Sequence, residues 1–148
     1  MMASVVSGWV DPWLPEAGRQ NEATGAALAV GAMSWARYGY ATIVDGYLFP
    51  DGVAGLAHAC RGRHLSCHYV VLTADEGTCW RRASGRAEGR WPLEQGPVAQ
   101  LYARFASCGV DETHVVDASG EPDEVATSIL ASFRDGSLAV AETPKTTS

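Results

Sequence analysis

The stretch LSCHYVVLTADEGTCWRRASGR, Leu65 to Arg86, changes period partway along. Leu65–Thr73 carries a Tyr-Val-Val-Leu-Thr run of β-formers and predicts a strand. Asp75–Arg86 predicts a helix, so the segment is one strand followed by one helix. The same alternation extends in both directions. Upstream, Tyr40–Leu48 is a nearly continuous apolar run, as in a parallel strand covered on both faces. It leads into a helix over Pro50–Arg61, with Pro50 in the first turn and Val53, Leu56, Ala57 and Cys60 at helical spacing. Downstream, Glu94–Cys108 predicts a helix with Val98, Leu101, Tyr102 and Phe105 on one face. Thr113–Asp117 predicts a short third strand. Pro122–Phe133 predicts a helix whose apolar face is Val125, Ile129, Leu130 and Phe133. At the other end, Met1–Arg19 is irregular and Asn21–Tyr38 is an Ala-rich helix closed by Gly39. Strands alternating with helices imply a parallel α/β sheet with right-handed crossovers. One domain over residues 1–137 is the simplest organisation, with 138–148 a disordered tail.

Composition narrows the function classes. The chain has 148 residues, 47% of them hydrophobic, enough for one domain with a core. A net charge of −6 and no basic stripe argue against nucleic acid as a partner. The four cysteines form no CxxC pair and read as reduced thiols in a cytoplasmic protein. No apolar run approaches the roughly 18 residues of a membrane span, and the start lacks the layout of a secretory signal.

Ligands of open α/β sheets bind outside the carboxyl ends of the strands. Three such ends are predicted: Asp45-Gly46, Thr73-Ala74-Asp75 and Asp117-Ala118-Ser119. Asp45 is the best placed, because Gly46 admits a close approach. Its carboxylate could hold Mg²⁺ through water or accept a substrate hydroxyl proton; equally, it could cap the next helix. CWRRASGRAEGRW, Cys79–Trp91, places Arg81, Arg82, Arg86 and Arg90 within ten positions, out of eleven basic residues in the chain. Guanidinium forks suit phosphates, although such a group can also be a solvated helix end with favourable cations. Arg19, Gln20 and Asn21 begin a helix, where they could meet a small polar substrate or where Asn21 could act as an N-cap. His64, His68 and the cysteines do not converge as zinc ligands would, and no GxSxG elbow is present.

The series DPWLPEAGRQN, YATIVDGYL, CHYVVLTADEGTCWRRASGR and DETHVVDASGEPDEVATSIL resembles the bacterial P-loop small-molecule kinases, the shikimate-kinase-like and chloramphenicol-phosphotransferase-like proteins. The resemblance spans Gly8 to Phe133. It implies a three-layer α/β/α kinase-like domain that uses ATP and Mg²⁺ to phosphorylate a small molecule. It makes Asp45 the carboxylate near the transferred phosphate and Mg²⁺, and Arg82 and Arg86 the lid arginines, with Arg81 or Arg90 as substitutes. It puts Arg19 in the substrate-side helix and the Asp117-Ala118-Ser119 turn near the adenine.

The family's opening strand–GxxxxGK[ST]–helix unit is not found in these residues, and the only lysine is Lys145. The resemblance then implies a chain that begins after the family's second strand, without the central P-loop strand. That strand would lie between those at Tyr40–Leu48 and Leu65–Thr73, so its absence strands their ladder groups. Either the two strands pair directly, or Ala3–Ser7 (ASVVS) substitutes, or a second chain completes the sheet as a homodimer. Two functions follow: a small-molecule kinase, weak or inactive in this form, or a non-catalytic binding module.

Overall fold

The computed structural model describes residue 8, residues 10–11, residues 14–85 and residues 95–141. It is mixed α/β, with five helices around a two-stranded parallel sheet among the described residues. In chain order these are α1 (Gly18–Arg37), α2 (Pro50–Arg61), β1 (Val71–Thr73), α3 (Glu76–Gly85), α4 (Gln95–Ser107), β2 (Val115–Asp117) and α5 (Pro122–Asp135). A one-turn 3₁₀ segment precedes α1 and another precedes β2.

The helices start and stop for local reasons. Proline stands in the first turn of both α2 and α5, where its missing N–H costs nothing. Asp51, and Asp123 with Glu124, put negative charge at those N-termini. α5 ends at Gly136, whose φ of 84° is the left-handed cap conformation that glycine adopts without a Cβ clash. α2 buries Val53, Ala57 and Cys60, one stripe of the helix.

β1 and β2 pair in parallel, with Val71 opposite Val115 and Thr73 opposite Asp117. Ala118 N continues the ladder by donating to Thr73 O at 2.7 Å. On the N-terminal side, residues 67–69 meet residues 138–140 in an antiparallel bridge. Tyr69 N donates to Leu138 O and Val140 N to Cys67 O. In an extended chain, alternate residues turn their N–H and C=O to the same edge. Residues 67, 69, 71 and 73 therefore all bond on one side. Val70 and Leu72 face the other edge, where no strand pairs with them among the described residues.

The core is small. Val53, Tyr69 and Val71 form its buried centre, and Leu48, Phe105, Val110 and Val140 pack against it. The Tyr69 hydroxyl donates to Leu48 O at 2.6 Å, fastening the entrance of α2 to the β1 segment. Phe49 stacks on Phe105 with ring centroids 4.4 Å apart, and the Arg104 guanidinium lies over the Phe49 ring.

Three sequence expectations are corrected. Tyr40–Leu48 forms no strand: the stretch is irregular, and Ile43 is 92% exposed. β-propensity alone cannot hold an extended segment without a ladder partner, and none faces it among the described residues. It does not pair with the Leu65–Thr73 segment either, which touches it through the Tyr69 hydroxyl instead. Ladder structure in the predicted strand Leu65–Thr73 is confined to Val71–Thr73 and the bridge at His68. The order of the chain also continues past 137, because Leu138 is buried at 2% exposure and bonds to Tyr69. Ala3–Ser7 and the polar end Thr143–Ser148 lie outside the described residues.

Candidate functional site

The parallel pairing of β1 and β2 brings their carboxyl ends side by side, and each end runs into a turn organised by an aspartate. After β1, Asp75 stands just before α3. Its carboxylate accepts from Thr78 N at 2.9 Å and from the Thr78 hydroxyl, capping the helix. The Thr78 hydroxyl in turn accepts from Arg81 Nη2 at 2.6 Å. After β2, the Asp117 carboxylate accepts from Ser119 N at 2.8 Å and from the Ser119 hydroxyl.

Arg82 ties α3 to the second of these turns. From α3 its Nη1 donates to Ala118 O at 2.6 Å, and its Nη2 donates to Ser119 O at 3.3 Å and Gly120 O at 3.5 Å. A helix after one strand thus grips the loop after its neighbour. The electrostatics agree with this geometry. The Thr78 hydroxyl, then its backbone N–H, hold Asp75 below its ordinary range, with the Arg81 charge adding to the effect. The Ser119 hydroxyl, then its N–H, do the same for Asp117, with Arg82 adding. Both carboxylates are therefore ionised and already hydrogen-bonded, which suits an organising role better than that of a general base.

The sequence candidates are scattered by the fold. Arg82 meets Ser119 at the strand ends, while Arg81 bonds to Thr78 at the start of α3. Asp45 is exposed in the irregular stretch before α2, and no hydrogen bond or ion pair ties it to either arginine among the described residues. Gln20 spends both ends of its amide on one residue: Val10 N donates to its Oε1 at 2.9 Å and its Nε2 donates to Val10 O at 2.7 Å. This ties the segment before α1 onto the helix. Arg19 and Asn21 are exposed on the first turn of α1. Arg86 and Arg90 lie outside the described residues. No group of three or more His, Cys, Asp or Glu side chains among the described residues could hold a metal ion, so Asp45 belongs to no such cluster there. No described helix is long and apolar enough to cross a membrane.

Sequence reasoning missed the organising pair of Asp75 and Thr78. The signal was present as a repeated Asp followed two or three residues later by Ser or Thr. Asp111 with Thr113 and Asp135 with Ser137 repeat it elsewhere in the chain.

No family model matches the chain, and no curated protein matches it.

Proposed function

We propose that this chain is the nucleotide-base side of a P-loop small-molecule kinase, an ATP- and Mg²⁺-dependent phosphotransferase of the shikimate-kinase-like or chloramphenicol-phosphotransferase-like type. The observation that supports the reading is the Arg82 fork on the turn after β2, at the carboxyl ends of two parallel strands. Ligands of open α/β sheets occupy that position. The open edge of β1 agrees with it, since one more strand there would carry its own following loop to the same end. Phosphoryl transfer is mainly positioning and charge neutralisation, and the 148 residues contain no glycine-rich cradle with its lysine. Turnover therefore requires a phosphate cradle from outside these residues, and this chain alone has little or no kinase activity. Asp45 serves Mg²⁺ only as one ligand among phosphates and waters, so metal binding here follows nucleotide binding.

A second reading rests on a specific observation: among the described residues Asp45 makes no hydrogen bond or ion pair with Arg81 or Arg82, and Arg82 is occupied by backbone carbonyls. A non-catalytic module that binds a polar ligand at the strand ends would look the same. Calorimetric titration with ADP and MgATP tests the proposal. The expected result is binding that Arg82→Ala weakens several-fold. Nucleotide binding unaffected by that change would remove the strand-end turn from the site. Absence of nucleotide binding, with a polar ligand still protecting the turn after β2 from amide exchange, would favour the module. On the open β1 edge, a homodimer that completes the sheet predicts a twofold mass in light scattering that Leu72→Lys abolishes.

A further inference from the structure

α1 ends in a turn that gathers aromatic side chains. Gly39, at a φ of 86°, takes the left-handed position that closes the helix. Gly39 N donates to Ala36 O at 3.0 Å and Tyr40 N to Trp35 O at 3.3 Å, the two bonds of a Schellman cap. The cap sets the Tyr40 ring edge-on to the Trp35 ring, with centroids 5.3 Å apart and planes at 84°. Both rings nevertheless stay in water. Trp35, Tyr38, Tyr40, Ile43 and Tyr47 are each 60–92% exposed. The run to Tyr47 leads directly from the cap, so the five belong to one stretch of surface. A cap accounts for the contact between Trp35 and Tyr40 but gives no reason for Tyr38, Ile43 and Tyr47 to face solvent. Taking about 200 Å² for a whole side chain of this size, the five expose about 700 Å². Monomeric proteins rarely show apolar patches above a few hundred Å², and a standard interface buries about 800 Å² on each partner. Charges of opposite sign mark the two ends of the stretch. Arg37 and Asp45 are both exposed, and neither has an ion pair among the described residues.

We infer that the aromatic stretch from Trp35 to Tyr47 is a contact between two copies of this chain, related by a twofold axis. In such a contact the same surface stands on both sides, so it must complement itself. This one does. Its aromatic middle packs on its own copy, and the axis brings Arg37 of each copy to Asp45 of the partner subunit. Two faces of about 700 Å² bury about 1,400 Å² in all, within the roughly 1,200–2,000 Å² of specific complexes. The contact also accounts for the β-formers of the irregular stretch. Ile43 finds no cover in its own sheet and is covered by the second copy instead. The surface uses residues other than those of the open β1 edge, and it does not depend on the kinase reading.

The test is the mass of the whole chain by light scattering under reducing conditions, up to about 100 μM, where a dimer of micromolar Kd predominates. The expected mass is twice 15.7 kDa. Tyr38→Ser with Ile43→Ser gives a monomer with an unchanged circular dichroism spectrum, since both side chains lie in water in the single chain. Arg37→Glu weakens the dimer about tenfold, and adding Asp45→Arg restores it. Leu72→Lys leaves the mass doubled. A parent chain that stays monomeric overturns the inference, and so does a mass that climbs past two copies. A doubled mass that survives Tyr38→Ser with Ile43→Ser also overturns it. So does one that Leu72→Lys abolishes, because the sheet edge would then be the contact. Failure of Asp45→Arg to restore the Arg37→Glu dimer refutes the twofold pairing.

Discussion

Replacing Arg82 with alanine removes a side chain that fastens α3 to the turn after β2. The contact from Nη1 to Ala118 O, at 2.6 Å, has the length of a strong charge-assisted hydrogen bond, while those to Ser119 O and Gly120 O, at 3.3 and 3.5 Å, are long and weak. A hydrogen bond from a charged group is worth about 1.5–3 kcal/mol when shielded from water. Arg82 is exposed, and water replaces part of what is lost, so about 1 kcal/mol remains. In a chain of this length that lowers Tm by about 2–4 °C. The loss is also local. The amides of the turn, residues 118–120, should exchange faster than in the parent, while those in α2 stay unchanged. Arg82→Lys keeps the charge but has a single ammonium in place of a planar fork, so it should recover less than half of the lost stability. The assay is thermal melting by circular dichroism with hydrogen exchange read peptide by peptide. An unchanged Tm together with unchanged exchange at 118–120 would refute the bridge.

The Tyr69 hydroxyl is the only side-chain hydrogen bond described between the β1 segment and the entrance of α2. Tyr69→Phe should cost about 1 kcal/mol in urea unfolding, and a neutral result would mean that water satisfies Leu48 O equally well. Gly136→Ala places a Cβ at a φ of 84°, and should destabilise by about 1 kcal/mol through the end of α5 and the seating of Leu138. Asp75 and Asp117 are held low chiefly by the hydroxyls of Thr78 and Ser119, and Asp111 and Asp135 chiefly by the backbone N–H groups of Thr113 and Ser137. Each folded pKa lies below its unfolded value. Their stabilisation is therefore complete above the ordinary carboxylate range, about 4, and is lost as pH falls through the depressed folded values. Melting followed from pH 7 to pH 2 should show the fall below about pH 4, and Asp75→Asn with Asp117→Asn should flatten it; an unaltered acid profile would assign the loss to other groups.

Helices were readable wherever local chemistry delimits them. Pro50 and the Val53, Ala57, Cys60 stripe define α2, and Pro122 with the Val125, Ile129, Leu130, Phe133 face marks α5; these signals act within a few residues, so the chain alone carries them. The order of strand and helix from Leu65 through Asp135 was readable for the same reason, and with it the mixed α/β class. Strand formation was not, because a strand exists only where a second segment supplies its hydrogen bonds. Leu65–Thr73 found partners on one edge, in β2 and in residues 138–140, and only the part facing β2 entered the sheet. Tyr40–Leu48 has equal propensity but no partner among the described residues, and it leaves Ile43 in water. The same distinction separates the site residues. Arg81 and Arg82 are adjacent in sequence, yet one supports the cap of α3 and the other reaches the loop after β2. That division depends on where the parallel sheet sets two strand ends side by side, a contact between residues more than thirty positions apart that no local pattern encodes.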